Sequence, residues 1–299
     1  MNVERIALGC GNFGGIGSDL SLAGQGEDQG EAFALMDAAW EAGIRRFDTA
    51  SSYGGGRSEE TIGAWIGARH PAGLALASKV IHPTFDGDDA GLAPARVRRI
   101  VRQSLERLGI ERIDFYLVHE PDPATPLADT LAALEELVRD GVIGAIGVSN
   151  VDGAYLAEAI DLAPIALVQN EYSLLVRDAE REVLPLCAQQ GIEFQAFSPL
   201  AGGWLTGKYA RSTPFPTGSR MTLRPGPYSD FVREEIFDAL EQLARRGDPA
   251  TLALAWILAN PLVGGIVVGP RRPAQLDPVW AGLELELEIE RDELAELFT

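Results

Sequence analysis

Short apolar or β-branched runs alternate eight times with amphipathic helical stretches, composition never breaks, and the two longest loops both follow strands. Together these observations predict an α/β fold, a (β/α)8 TIM barrel forming one domain over residues 1–299. In such a barrel every strand-to-helix loop opens at one mouth, so chemistry is expected there.

Strands are read at Ile6–Gly9, Arg46–Asp48, Leu74–Ser78, Ile113–His119, Ala145–Val148, Ala166–Gln169, Glu193–Phe197 and Gly265–Val268, where branched and aromatic residues gather. Helical periodicity occupies 30–42, 58–69, 94–108, 125–140, 152–161, 178–190, 230–259 and 273–282. Asp28 stands three residues before Glu31, the spacing of a capping box, and Pro94 suits a first helical turn. Gly43, Gly109, Gly141 and Gly191 each follow a helical run, where a left-handed residue ends a helix. The long loops are Cys10–Glu27, expected to be mobile, and Ala201–Ser229. The acidic, leucine-rich tail from Leu283 to Thr299 is expected to lay a last helix on the barrel.

Composition excludes several classes of function. Lys plus Arg total 25 against 44 Asp plus Glu, a formal charge of -19, which repels nucleic acid and anionic lipid. No apolar run approaches the ~20 residues of a membrane span, and Met1 to Leu8 lacks the pattern of a secretory signal. Cys10 and Cys187 have neither disulfide nor metal spacing, and His70, His82 and His119 are not spaced as ligands. A cytoplasmic protein without a metal is expected, acting on a small molecule; nothing in the pattern specifies an oligomeric state.

Gly9-Cys10-Gly11-Asn12-Phe13-Gly14 has the spacing of a dinucleotide-binding glycine loop. That motif must open a helix whose N-terminus receives the pyrophosphate. The chain instead continues Gly15-Ile16-Gly17-Ser18 with no helical start, which disfavours that use. A stronger signal is distributed over the next three strands. Asp48 ends the second, Tyr53 follows five residues later, Lys79 ends the third and His119 the fourth. Neighbouring barrel strands bring these four groups to one patch. A tyrosine is a poor acid at neutral pH, a nearby ammonium lowers its pKa, and a carboxylate keeps that ammonium charged. Moreover, only Lys79 and Lys208 are lysines among the 25 basic residues, so these positions ask for what arginine lacks, a compact and tunable ammonium.

The run Gly43-Ile44-Arg45-Arg46-Phe47-Asp48-Thr49-Ala50, with Tyr53-Gly54 and Ser58-Glu59, resembles the signature of the aldo/keto reductase family. Ile146-Gly147-Val148-Ser149-Asn150, Val168-Gln169-Asn170-Glu171-Tyr172 and Phe197-Ser198-Pro199-Leu200 extend the likeness to nearly the whole chain. The resemblance implies an NADPH-dependent carbonyl reductase, with NADH left open. It implies that Tyr53 gives the proton, Lys79 lowers its pKa, Asp48 holds Lys79 and His119 orients the carbonyl. It also implies that Ser149, Asn150 and Gln169 hold the carboxamide and that Phe197 stacks on the nicotinamide. Ser198, Leu200, Gly202 and Lys208 would then wrap the diphosphate. Gly269, Arg271, Arg272 and Gln275 match the segment around the 2′-phosphate, while Pro278 and Val279 replace residues that contact adenine in many relatives.

The expected substrate pocket draws on Phe13, Ile16, Glu120, Trp204, Phe215, Met221 and Tyr228, and a sugar or small keto metabolite is the expected class. The family likeness also touches potassium-channel β subunits, so a slow cofactor-sensing protein on the same fold is the rival function.

Overall fold

The computed structural model describes residues 2–85, 87–285 and 291–298. Eight parallel strands close into a barrel in sequential order: β1 Ile6–Gly9, β2 Arg46–Asp48, β3 Ala75–Val80, β4 Ile113–Val118, β5 Ile143–Ser149, β6 Ile165–Glu171, β7 Glu193–Phe197 and β8 Gly265–Val268. Four of the expected strands have the expected limits; β3 is shifted toward the mouth, and β5 and β6 run longer at both ends. The surrounding helices are α1 Gln29–Glu41, α2 Arg57–Arg69, α3 Pro94–Leu108, α4 Leu127–Arg139, α5 Gly153–Leu162, α6 Val183–Gln190, the short α7 Arg220–Leu223, α8 Glu234–Arg246, α9 Pro249–Leu258, α10 Asp277–Glu284 and α11 Arg291–Glu296.

Local chemistry sets these limits. The Asp28–Glu31 capping box forms in both directions, and Gly43, Gly109, Gly141 and Gly191 all have positive φ beyond their helices. The single helix expected over 230–259 is two, because Asp248 caps a new start by accepting from Thr251 N at 2.8 Å and Pro249 takes its first turn. The 178–190 run opens instead with a 3-10 turn at Asp178–Glu180.

Side-chain alternation divides the core in two. Outward-facing strand residues pack under the helices, as Phe47 does against Trp65 with ring centroids 5.3 Å apart. Each such fully buried side chain contributes about 1.5–3 kcal/mol. Inside the barrel Ala77, Leu117 and Leu167 form a small separate apolar layer with Phe115. Below it Arg46 pairs with Glu193 at 2.5 Å, and above it lie Asp48, Lys79, Gln169 and Gln195. The interior thus changes from an apolar plug to a buried polar floor at the C-terminal mouth.

The loop 10–27 is not the open, mobile segment its glycines and serines suggest. Cys10, Asn12, Phe13, Ile16 and Glu27 are buried, and Gly14 N donates to Glu27 O while Glu27 N donates to Asn12 O. A Cβ at Gly26 would fall 1.8 Å from Asn12 O, so glycine there permits the loop to fold on itself. Of the tail, α11 packs on the barrel through Trp256 Nε1, which donates to Arg291 O at 2.9 Å. Residues 286–290 and 299, also part of the expected tail, lie outside the described residues.

Candidate active site

Asp48, Tyr53, Lys79 and His119 meet at the C-terminal end of β2–β4. Lys79 Nζ donates to Asp48 Oδ2 at 2.6 Å, to Thr49 O at 2.8 Å and to Tyr53 OH at 3.5 Å. The phenol oxygen lies 3.4 Å from His119 Nε2. Asp48 and Lys79 are almost wholly buried, whereas Tyr53 keeps access to the mouth. A tight turn over Tyr53–Gly56 aims the phenol. Gly54 has φ 60, and a Cβ there would fall 2.7 Å from Phe13 O, so the turn needs glycine to lie against the first loop.

The electrostatics set the expected pull of Lys79 against burial. Lys79 does pull the Tyr53 phenol down, but burial pushes it up by more, so its pKa stands above the ordinary value. Burial also pulls Lys79 down, but Asp48 and Tyr53 together raise it, so it stays charged. His119 is held well below the usual imidazole range by burial, then by Lys79 and His82, and is neutral at physiological pH. The result is a protonated phenol between a fixed ammonium and a neutral imidazole.

The residues matched to a carboxamide site line the floor beside this group. Gln169 Nε2 donates to Asp48 Oδ1 at 2.8 Å and to Gln195 Oε1 at 2.6 Å, which leaves its own Oε1 buried without a partner. Asn150 Nδ2 donates to His119 O at 2.8 Å and to Ser149 Oγ at 3.2 Å. Phe197 is part-exposed at the end of β7. Ser198 and Gly202 follow in left-handed conformations, and the Tyr228 ring lies so close over Gly202 that a Cβ there would meet it at 2.5 Å. Leu200 is part-buried in the same turn. Lys208 carries no ion pair among the described residues; it is held below the ordinary lysine value by partial burial and then by Arg220 and Arg271.

The C-terminal segment expected at the 2′-phosphate is partly committed elsewhere. Arg271 Nε pairs with the buried Glu27 at 2.5 Å and its Nη1 donates to Gly218 O at 3.0 Å. Gln275 Oε1 accepts from Arg271 N at 2.7 Å. Arg272 is exposed and its side chain has no partner among the described residues, and Gly269 sits opposite Gly9, where β8 and β1 end.

Among the expected pocket residues, Trp204 is misassigned. It is fully buried, ringed by Tyr209, Phe215, Phe231 and Phe237, and supports the 201–229 loop from beneath. Phe13, Ile16 and Met221 are also buried, whereas Phe215 and Tyr228 are part-buried. Glu120 lies open beside the tetrad, 3.8 Å from His82 Nδ1, and the His82 ring packs edge-on to His119. Sequence reading passed over Gln195, though the alternation Glu193-Phe194-Gln195 marks it as facing inward. It also passed over Asn12, which accepts a hydrogen bond from Arg220; no local signal marks that contact across the mouth. No group of three or more His, Cys, Asp or Glu able to hold a metal occurs among the described residues, nor any helix long and apolar enough to cross a membrane.

The profile of the Aldo/keto reductase family matches residues 5–297. An oxidoreductase of Bacillus subtilis (strain 168), YrpG, is 36% identical over 97% of this chain and 90% of its own length. An NADH-specific methylglyoxal reductase of Escherichia coli (strain K12) is 35% identical over 96% and 92%. The structure of a glycerol dehydrogenase from Gluconobacter oxydans superposes with a TM-score of 0.82 at 29% identity, covering 98% of this chain and 90% of that one.

Proposed function

The chain belongs to the aldo/keto reductase family of oxidoreductases, and on that premise we propose that it reduces aldehyde and ketone groups with NADPH, Tyr53 supplying the proton. The observation that carries this reading is the convergence of Tyr53 OH with Lys79 Nζ and His119 Nε2, at 3.5 and 3.4 Å, above a buried Asp48. A reduced nicotinamide, when bound, supplies hydride to the carbonyl carbon. His119, neutral, gives the carbonyl oxygen a hydrogen-bond partner and holds it near the phenol. As charge builds on that oxygen, the Tyr53 O–H proton passes to it; an alkoxide is far more basic than a phenolate, so the transfer runs downhill even from a phenol of raised pKa. Lys79 then steadies the phenolate, and Asp48 steadies Lys79.

The residues present suit such a cofactor. The unpartnered Gln169 Oε1 is an acceptor aimed at an amide N–H, and Ser149 and Asn150 add a hydroxyl and an amide beside it. Phe197 offers a π-face, and Ser198, Leu200, Gly202, Gly269 and Lys208 are the residues that would hold a diphosphate. For the 2′-phosphate, Arg272, whose side chain has no partner among the described residues, is the cation we assign, while Arg271 and Gln275 brace the segment. Glu120 is read as an acceptor for substrate hydroxyls, which fits a sugar or small keto metabolite. The protein is read as one barrel domain working in the cytoplasm, with no nucleic-acid, membrane or metal partner.

The experiment is to follow NADPH and NADH consumption with aldehydes, ketones and aldoses, comparing wild type with Tyr53→Phe. Turnover that depends on Tyr53 supports the proposal. Tight cofactor binding with no carbonyl turned over would instead favour the sensing function.

A further inference from the structure

This inference rests on the reading of the site as a carbonyl reductase and names its substrate class. Arg224, just beyond α7, reaches back over the mouth: a Cβ at Gly17 would lie 3.2 Å from Arg224 Nη1. Gly17 O accepts from Gly54 N at 3.0 Å, the residue next to Tyr53, so the exposed guanidinium lies beside a residue that is itself bonded to the turn carrying the proton donor. Its side chain has no hydrogen bond or ion pair among the described residues. Glu120, the acid at the rim, is turned to His82 at 3.8 Å. The positive charge is felt at both Tyr53 and His82, whose proton affinities it lowers. Lys208 instead responds to Arg220 and Arg271. Arg220 and Tyr228 respond to Arg224 as well, so the cations of this loop act on one another, and Arg224 is the one of them whose charge reaches Tyr53 and His82.

We propose that Arg224 receives an anionic group of the substrate, and that the enzyme prefers small carbonyl compounds bearing a carboxylate or a phosphate. A guanidinium with its fork of donors free is suited to either group. The need is local, because a formal charge of -19 repels such substrates at long range.

Two matched pairs test this: benzaldehyde with 4-formylbenzoate, and glyceraldehyde with glyceraldehyde 3-phosphate, each in wild type, Arg224→Ala and Arg224→Lys. Wild type is expected to favour at least one anionic member by ~10-fold or more in kcat/KM, and which pair shows it separates carboxylate from phosphate. In R224A that ratio falls to near one through KM, R224K keeps part of it, and added salt shrinks it in wild type. A wild-type ratio at or below one in both pairs, or a ratio that survives in R224A, overturns the proposal. So does an R224A variant that weakens cofactor binding and leaves the ratio intact, which assigns Arg224 to the cofactor. Reduction of neither member of either pair sinks the carbonyl-reductase reading. Calorimetric titration of benzoate and inorganic phosphate, with NADP present, then decides Arg224 separately: binding lost in R224A supports the anion site, and equal binding refutes it.

Discussion

Replacing Lys79 by Met removes the ammonium from a pair whose side chains are only 3% and 7% exposed. Asp48 then keeps one strong donor, Gln169 Nε2 at 2.8 Å, and its Oδ2 faces an apolar thioether in place of a cation at 2.6 Å. Breaking a buried pair on one side typically costs about 3–5 kcal/mol, because the surviving charge is left without its partner. That is a large part of the roughly 5–15 kcal/mol by which domains are stable. With a denaturation slope of about 3 kcal/mol per M urea, the midpoint should fall by roughly 1–2 M. The double variant Lys79→Met with Asp48→Asn removes the stranded charge as well. It should recover most of the loss, to within about 1–2 kcal/mol of wild type, while both variants remain poor reductases for want of the ammonium that steadies the phenolate. The assay is urea unfolding followed by fluorescence and circular dichroism, with the double-mutant cycle as the readout. A single variant that loses less than about 1 kcal/mol, or a double variant no more stable than the single, would refute the reasoning.

Tyr53→Phe should lower turnover by about 10²–10⁴-fold with cofactor affinity retained in a fluorescence titration; an equal loss of binding would make the residue structural. Reduction requires the protonated phenol, which is lost as pH rises through its pKa, and burial raises that pKa above the ordinary phenol value. Single-turnover reduction rates should therefore stay level from about pH 7 to 9, and a falling limb inside that window contradicts the assignment. His119 has a depressed pKa, so the unfolded chain binds more protons below about pH 6.5; stability should hold above that value and decline as pH falls through the folded pKa. In His119→Asn the denaturation midpoint should change less between pH 7 and 5, and an unaltered slope would count against the buried neutral imidazole. Arg272→Ala should weaken NADPH by roughly tenfold relative to NADH, since it removes an unpaired cation from the 2′-phosphate segment; equal effects on the two nucleotides would place Arg272 outside that contact.

How far the site could be read in advance depended on how local each cause was. Asp48, Lys79 and His119 were legible because a parallel barrel puts the ends of β2, β3 and β4 side by side, so three short runs of sequence were enough. The capping box at Asp28 and the glycines past α1, α3, α4 and α6 were legible for the same reason, since caps depend on neighbours within four residues. By contrast, Trp204 looked like a pocket residue because it lies in a mouth loop. Only the packing of Tyr209, Phe215, Phe231 and Phe237 around it shows that it faces inward. Arg271 likewise looked free for phosphate, and its pairing with Glu27 spans 244 residues of chain.

The sequence by itself determined the barrel and which polar groups meet at its mouth, because periodicity, caps and strand-end positions are short-range consequences of side-chain shape and backbone hydrogen bonding. Tertiary structure alone decided which charges are spent and which are free. Glu27 takes up Arg271, Gln195 and Asp48 take both donors of Gln169, and Arg224 is left at the mouth with no partner among the described residues. It also decided the sign of the shift at Tyr53, where desolvation by the folded loop outweighs the pull of Lys79. The physical reason is that burial and long-range pairing depend on distances between segments far apart in the chain, and a charge has no fixed energy until its surroundings are set.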